Sequence, residues 1–491
     1  MRFFTFTSAI LAFAIAAQAA CTPVRNSTSN AASFTGDANI SSSAPFTSSS
    51  ASASASSSAS SSGGKGHHKG SGSSSASSAP SSTFSASADS GSNSSESFSA
   101  SSTSSASSAV NTGLTRVQAA GDGAYFIGAS SYYLYTLADD DRSAVLDAMQ
   151  SAGMTVIRIF ISAVAANNKG SNNVAVNDVE IDNIGTYDDT ILTQVDQLMS
   201  EASSRGMKLL IALHDRYALG FWSTDVYCTQ LGISGYTTDP PQIADASAFY
   251  TNSWAASMFD QRMTHILNHQ NAQMGNTAWK DLDSAIYGFE PENEPMGHMD
   301  LVAPNWVCDR AATLAGLIPA GSSILISSGG GIDADSSVGA WAFGCGEIDV
   351  VAIHDYNLGS DFLSTIQSAN EQAKSQGRVS VVGEWGTMGD DKASTAQTIV
   401  DALKGDGISW LYWEVTKPGA GASNFEVWTD EPTWDVLASG SPNNSKKRAL
   451  EAASLYIGDS HQARAAQVSR SRRRHHTKRG VHGALGHAHT H

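Results

Sequence analysis

Eight short apolar runs, separated by stretches of helical pattern, constrain this chain more than any other feature of its sequence. They are Tyr125–Gly128, Thr155–Phe160, Lys208–Leu213, the run that opens at Ile286, Ile324–Ser327, Val350–Ile353, Val379–Gly383 and Ser409–Trp413. Near-continuous Val, Ile, Leu and aromatic residues over so few positions mark strands buried on both faces, as in a parallel sheet. Between them, Asp139 to Ala152 carries Val145, Leu146 and Met149 on one helical face and stops at Gly153. Asp188 to Arg205 does the same with Ile191, Leu192, Val195, Leu198 and Met199, and stops at Gly206. Parallel strands need crossovers of one hand, and eight such units close into a barrel. The expected fold class is therefore α/β, a (β/α)8 TIM barrel spanning residues 114–440.

The rest of the 491-residue chain lacks the composition of a packed domain. Residues 1–20 read as a signal peptide: Arg2, an apolar run from Phe3 to Ala17, and small residues at Ala17, Ala19 and Ala20, with cleavage expected after Ala19 or Ala20. Cys21 raises lipoprotein processing as an alternative, which Gln18 fits poorly. Residues 21–113 are mostly Ser and Ala, too poor in apolar anchors to offset the entropy of ordering, and read as a disordered linker suited to O-glycosylation. Asn26, Asn39, Asn93 and Asn443 begin Asn-x-Ser/Thr sequons. Residues 441–491 form a basic, His-rich tail read as disordered: from Lys446 onward there are ten Lys and Arg against two acids, Glu451 and Asp459. The whole chain nevertheless carries a formal net charge of −17, so the body is strongly acidic and nucleic acid is not an expected partner. No stretch beyond the leader could span a bilayer. A monomer is expected outside the cell, free or associated with the cell wall.

Polar or aromatic residues recur where strand after strand ends: Arg158, His214, Asn293, Glu294, His354, Tyr356, Glu384 and Trp413. In a (β/α)8 barrel that end carries the active site. Two of the eight are carboxyls at the ends of buried strands, Glu294 in Glu290-Pro291-Glu292-Asn293-Glu294-Pro295 and Glu384 in Gly383-Glu384-Trp385-Gly386. A carboxyl in that setting is costly unless it is paired or used. Two of them facing each other are the apparatus of glycoside hydrolysis. Glu290 reads as a hydrogen-bonding support for its strand end, and Glu292 as a more remote or solvated neighbour. Trp222, Trp306 and Trp428 suit either a sugar-stacking cleft or core packing.

On the motifs Ile157-Arg158, Leu213-His214-Asp215, Asn293-Glu294-Pro295, His354-Asp355-Tyr356, Gly383-Glu384-Trp385-Gly386 and Tyr412-Trp413, the sequence resembles glycoside hydrolase family 5. The resemblance implies a retaining β-glycanase with Glu294 as acid/base and Glu384 as nucleophile. It implies that Arg158 and Tyr356 hydrogen-bond Glu384, with Arg158 lowering its pKa. Asn293 would contact the sugar 2-hydroxyl, His214 and His354 would line the cleft, and Trp413 would be the sugar platform. No metal or other cofactor is implied. The opening pattern of Gly128, Ser131-Tyr132-Tyr133-Leu134 and Val156-Ile157-Arg158-Ile159-Phe160 looks most like fungal endo-β-1,4-mannanases, making β-linked mannan or glucomannan the expected substrate. Glu-Pro-Glu before Asn293 and Trp after Glu384 depart from that pattern, so an endo-β-1,4-glucanase remains open. A non-catalytic carbohydrate-binding barrel is the alternative from another class.

The barrel has three cysteines, so at most one disulfide. Cys228 and Cys308 both follow strands and belong to the carboxyl-end face, whereas Cys345 precedes a strand and belongs to the opposite face. The expectation is a Cys228–Cys308 bridge with Cys345 as a free thiol.

Overall fold

The computed structural model describes residues 115–220, 225–233, 245–417 and 424–442, with the backbone of a small hairpin, Thr237–Thr238 and Pro241–Gln242. The leader, the linker, the basic tail and Trp222 lie outside the described residues.

The eight apolar runs are strands: β1 Ile127–Ser130, β2 Val156–Phe160, β3 Lys208–Ala212, β4 Ile286–Glu290, β5 Leu325–Ile326, β6 Val350–His354, β7 Val379–Trp385 and β8 Ser409–Tyr412. Each pairs in parallel with its neighbour in chain order, and β8 pairs with β1, Gly128 opposite Leu411. A parallel bridge from Ser327 to Val350 joins β5 to β6 and completes the ring. The fold is the expected (β/α)8 barrel.

The outer layer is α1 Asp139–Ala152, α2 Thr190–Ser204, α3 Ser253–Asn268, α4 Trp306–Leu317, α5 Ser360–Ser375, α6 Lys392–Asp406 and α7 Pro432–Ser439. Local chemistry sets their ends. Asp139, Asp140 and Asp141 place negative charge on the first turn of α1, where the helix dipole favours it, and Gly153 ends that helix with φ 78°. Asn252 caps α3 by accepting from the Trp254 and Ala255 amides, dividing it from the short helix Ser247–Thr251. Among the described residues no helix is long and apolar enough to cross a membrane.

Strand alternation decides what enters the barrel. On β2, Ile157 and Ile159 point to the helices, while Val156, Arg158 and Phe160 point inward. Val156 joins Phe126, Leu210, Leu325, Val350, Val381 and Leu411 in an apolar floor. The short helix Arg116–Ala119 seals that floor from below with Val117, tied down by an Arg116–Asp349 ion pair at 2.7 Å. Arg158 occupies the layer above, and Phe160, Ala212 and Trp413 the layer above that. The lumen is thus filled at its amino end and leaves room for chemistry at its carboxyl end.

The disulfide is Cys308–Cys345, with Cα atoms 5.4 Å apart, and Cys228 is a buried free thiol. This corrects the expected pairing. The β5–β6 crossover has no full-length helix to carry the chain to the far face. It has two one-turn helices, Ala334–Ser337 and Ala340–Phe343, and the second packs beside α4, bringing Cys345 to the first turn that holds Cys308. Cys228 sits on the helix Val226–Leu231 with its side chain turned into the core, its Sγ 3.5 Å from the Ala218 carbonyl.

Candidate active site

Arg158 is the hub. Its guanidinium is fully buried and makes three charge-assisted bonds: Nε to Glu290 Oε2 at 2.9 Å, Nη1 to Glu384 Oε2 at 2.8 Å, and Nη2 to Asn293 Oδ1 at 2.7 Å. One side chain from β2 therefore fixes the ends of β4 and β7 relative to each other. Glu290 also accepts from Ser327 Oγ at 2.9 Å, so it is the strand-end support expected of it. Asn293 donates from Nδ2 to Asp215 Oδ1 at 3.0 Å, which locks the amide orientation.

Glu384 lies at the end of β7 and accepts a second bond, from the Tyr356 hydroxyl, at 2.6 Å. Glu294 lies in the turn after β4 on left-handed backbone, φ 47°, with its amide donating to the Gly329 carbonyl at 3.0 Å. Its carboxyl accepts from the Tyr217 hydroxyl at 2.6 Å and lies 3.1 Å from His354 Nδ1. One carboxylate oxygen from each glutamate and a ring nitrogen of His354 all fall within 4.8 Å of one another. Gly330 makes this possible: it has φ 77°, and a Cβ there would meet the His354 ring at 2.4 Å.

The surroundings treat the two carboxyls differently. Burial pushes Glu294 up to about 7, only partly offset by the Tyr217 hydrogen bond. Burial raises Glu384 too, against the expectation of a lowered pKa, and the neighbouring Glu294 charge adds to the rise; His354, the Arg158 charge and the Tyr356 hydroxyl pull it back without cancelling it. Glu384 thus faces a full positive charge, whereas Glu294 faces a neutral hydroxyl and a histidine that burial pushes down to about 4. Of the two, Glu294 is the better proton holder.

Six of the eight strand-end residues converge directly: Arg158, Asn293, Glu294, His354, Tyr356 and Glu384. Trp413 stands beside them at the end of β8, stacked on Tyr132 with ring centres 5.6 Å apart and planes 3° from parallel. His214 differs from its expected place on the cleft. It is fully buried, Nδ1 at 2.8 Å from Glu292 and Nε2 at 2.9 Å from Asp225, with its ring on Phe249. Glu292 is buried as well and accepts from the Tyr250 hydroxyl at 2.7 Å, so it is not a solvated neighbour. Trp306 is core, packed on Phe249, Tyr250 and Phe259, and Trp428 packs against Trp434.

Tyr217 escaped the sequence reading because it lies beyond its strand, in a loop with no pattern of its own. So did Lys169, whose ammonium contacts Glu414 and Glu426.

A sequence model of proteins described as GH family 5 beta-mannosidase-like matches residues 108–357, half of the chain. The chain belongs to glycoside hydrolase family 5. A second model, described as cellulase (glycosyl hydrolase family 5), matches residues 346–419. Together the two family 5 models run from before β1 to beyond β8. Among curated relatives, the chain is 26% identical over 206 residues to mannan endo-1,4-beta-mannosidase 1 of Oryza sativa subsp. japonica, covering 40% of this chain and 44% of that protein. It is 26% identical over 223 residues to mannan endo-1,4-beta-mannosidase 5 of Solanum lycopersicum, covering 43% and 50%. The chain spans about half the length of these curated relatives. The endo-1,4-beta-D-mannanase of Thermotoga petrophila RKU-1 superposes with a TM-score of 0.52 at 17% identity, covering 65% of this chain and 99% of that one, a likeness of fold.

Proposed function

We propose that this chain is a retaining glycosidase that hydrolyses β-1,4-linked mannan or glucomannan. The observation that carries the reading is the Glu294–Glu384 pair, at the ends of β4 and β7, with one carboxylate oxygen of each within 4.8 Å of the other. Retaining enzymes hold their carboxyls roughly 5–5.5 Å apart, and inverting ones leave several ångströms more for a water molecule.

In this reading Glu384 attacks the anomeric carbon as the glycosidic bond breaks, and Glu294 gives its proton to the leaving oxygen. Glu294, now ionised, takes a proton from water, which attacks the anomeric carbon and releases Glu384. Arg158 and Tyr356 steady the Glu384 charge before attack and after release. Asn293, with its carbonyl on Arg158 and one N–H on Asp215, keeps the other N–H for a sugar hydroxyl. Trp413 offers an aromatic face to the ring. The two mannan-named relatives favour mannose over glucose, and the match to a cellulase-described model keeps a β-1,4-glucan as the second reading. The leader-like composition of residues 1–20 supports an extracellular location, with a monomer acting on the polysaccharide.

The test combines a substrate panel with trapping. Reducing-sugar release should be greater from mannan or glucomannan than from carboxymethylcellulose, xylan or β-1,3-glucan. A 2-deoxy-2-fluoro-mannosyl fluoride should label Glu384, read by peptide mass. Labelling of another residue would overturn the assigned roles, and preference for carboxymethylcellulose would overturn the substrate.

A further inference from the structure

The two sides of the Glu294–Glu384 pair are built differently. Glu294 must face the leaving group it protonates, so the leaving-group side of the cleft is that of β3 and β4, where Tyr217 and Asp215 lie. In a ring of eight strands β8 is diametrically opposite β4, so the sugar retained on Glu384 extends toward β8, β1 and β2, beyond Trp413. There the loops interlock. Phe425, from the loop after β8, packs on Tyr356 with ring centres 4.8 Å apart and fills the space left by Gly386, where a Cβ would lie 2.8 Å from the ring. The next residue, Glu426, is buried and forms an ion pair with Lys169, from the loop after β2. Lys169 also holds Glu414 at 2.5 Å and lies 5.8 Å from the centre of the Trp413 ring. Beside it, Asn168 donates from Nδ2 to the hydroxyl of Tyr132, the ring stacked on Trp413.

The turn that presents Lys169 is fixed by left-handed backbone at Asn167, φ 56°, and at Lys169 itself, φ 51°. Its ammonium is deeply placed, with 12% of the side chain exposed. Glu414 is fully buried, and apart from the Lys169 ammonium its oxygens have no hydrogen-bond donor among the described residues. A buried carboxylate in that state depends on the Lys169 charge, so the ion pair holds the lysine in place.

We propose that this Phe425–Glu426–Lys169 wall closes the cleft one sugar beyond the scissile bond, so that the enzyme removes single sugars from the non-reducing ends of β-1,4-linked chains, with Glu414 anchoring the Lys169 ammonium. This rests on the retaining reading above and departs from the endo mode that the sequence suggests and that the curated relatives' names carry. An internal segment of a chain would have to thread the space the Lys169 bridge occupies. A chain end needs room for only the one sugar held on Glu384.

The experiment is product analysis with the full chain on reducing-end-labelled β-1,4-mannohexaose and, in parallel, cellohexaose. The expected result is stepwise shortening of the labelled chain by one sugar with the monosaccharide as first product, and a slow fall in glucomannan viscosity for each reducing end formed. Early labelled products spread over all lengths, with a steep fall in viscosity, would overturn the wall. The same stepwise pattern on cellohexaose alone would support the wall while overturning the mannan reading. Lys169→Ala/Glu414→Gln removes the bridge without leaving two carboxylates facing each other; it should yield di- and trisaccharides among the first products. A second variant, Glu426→Gln, unties the loops while keeping the lysine, and should shift products the same way to a smaller degree. An unchanged monosaccharide-only pattern in both folded variants would remove the wall from the account.

Discussion

The Tyr217 hydroxyl donates to Glu294 at 2.6 Å, on the opposite carboxylate oxygen from the one that meets His354. A hydroxyl donor stabilises the ionised carboxylate more than the neutral acid, so it lowers the pKa that burial raises. Tyr217→Phe removes that effect. Glu294 should then hold its proton to higher pH, and the alkaline limb of kcat/KM should move up by about half to one pH unit, the equivalent of a hydrogen bond worth about 1 kcal/mol. A pH–rate profile of the two proteins checks this. A lower rate with the limb in place would mean that Tyr217 only packs.

Glu294→Gln and Glu384→Gln should each lower kcat on polymer by about a thousandfold or more while leaving circular dichroism unchanged. They should part company on a substrate with a good aryl leaving group. There Glu294→Gln should still release the aryl group in a burst, because that departure needs no acid, and Glu384→Gln should not. Retention of more than about a tenth of wild-type kcat by either variant would contradict the assignment. Glu290 and Glu292 could not readily take the role, each being fully buried in its own hydrogen-bonded pair.

His214 should remain an imidazolium far above neutral pH. Burial opposes its charge, but Asp225 and Glu292 on its two nitrogens reverse that and push its pKa up to about 10. A folded pKa above the unfolded value means that the stabilisation is complete below about 6.5 and is lost as pH rises toward 10. His214→Ala leaves two buried carboxylates without their shared cation, and should cost about 3–5 kcal/mol. Denaturant unfolding of both proteins from pH 6 to 10 would show the gap narrowing with pH. A constant gap would indicate lost packing alone.

Non-reducing peptide maps should join the Cys308 and Cys345 peptides and leave Cys228 free, modified by alkylating reagents only after unfolding. Substituting both bridged cysteines by serine should lower stability by about 2–4 kcal/mol, since the bridge closes the chain around β5. Rapid alkylation of Cys228 in the native protein would show that its helix opens.

Those corrected cysteines mark one limit of reading this chain from sequence. The eight strands were legible because burial on both faces leaves a near-continuous apolar run, and the site because polar residues interrupt those runs only where they end. Arg158, Glu294 and Glu384 could be named on that basis. The cysteine pairing was not legible, since it depends on a crossover that is shorter than the pattern around it, and nothing between Ile326 and Val350 announces this. His214 was misplaced for a related reason: position at a strand end does not say which way a ring turns, and Asp225 and Glu292 decided it. Lys169 and Glu426 are 257 positions apart in chain order, in loops without periodicity, so only their packing could bring them together.

Glu294 occupies backbone that an L-residue enters at a cost of about 1–3 kcal/mol, and glycine at almost none. Met296 and His298 share the same left-handed conformation, so the strain is concentrated in one short turn. A chain selected for robustness alone would place glycine at 294 and discard the acid. The turn therefore persists against the direction in which stability would take it. In a population of drifting sequences, the substitutions that most improve thermal tolerance at this position are the ones that silence the enzyme.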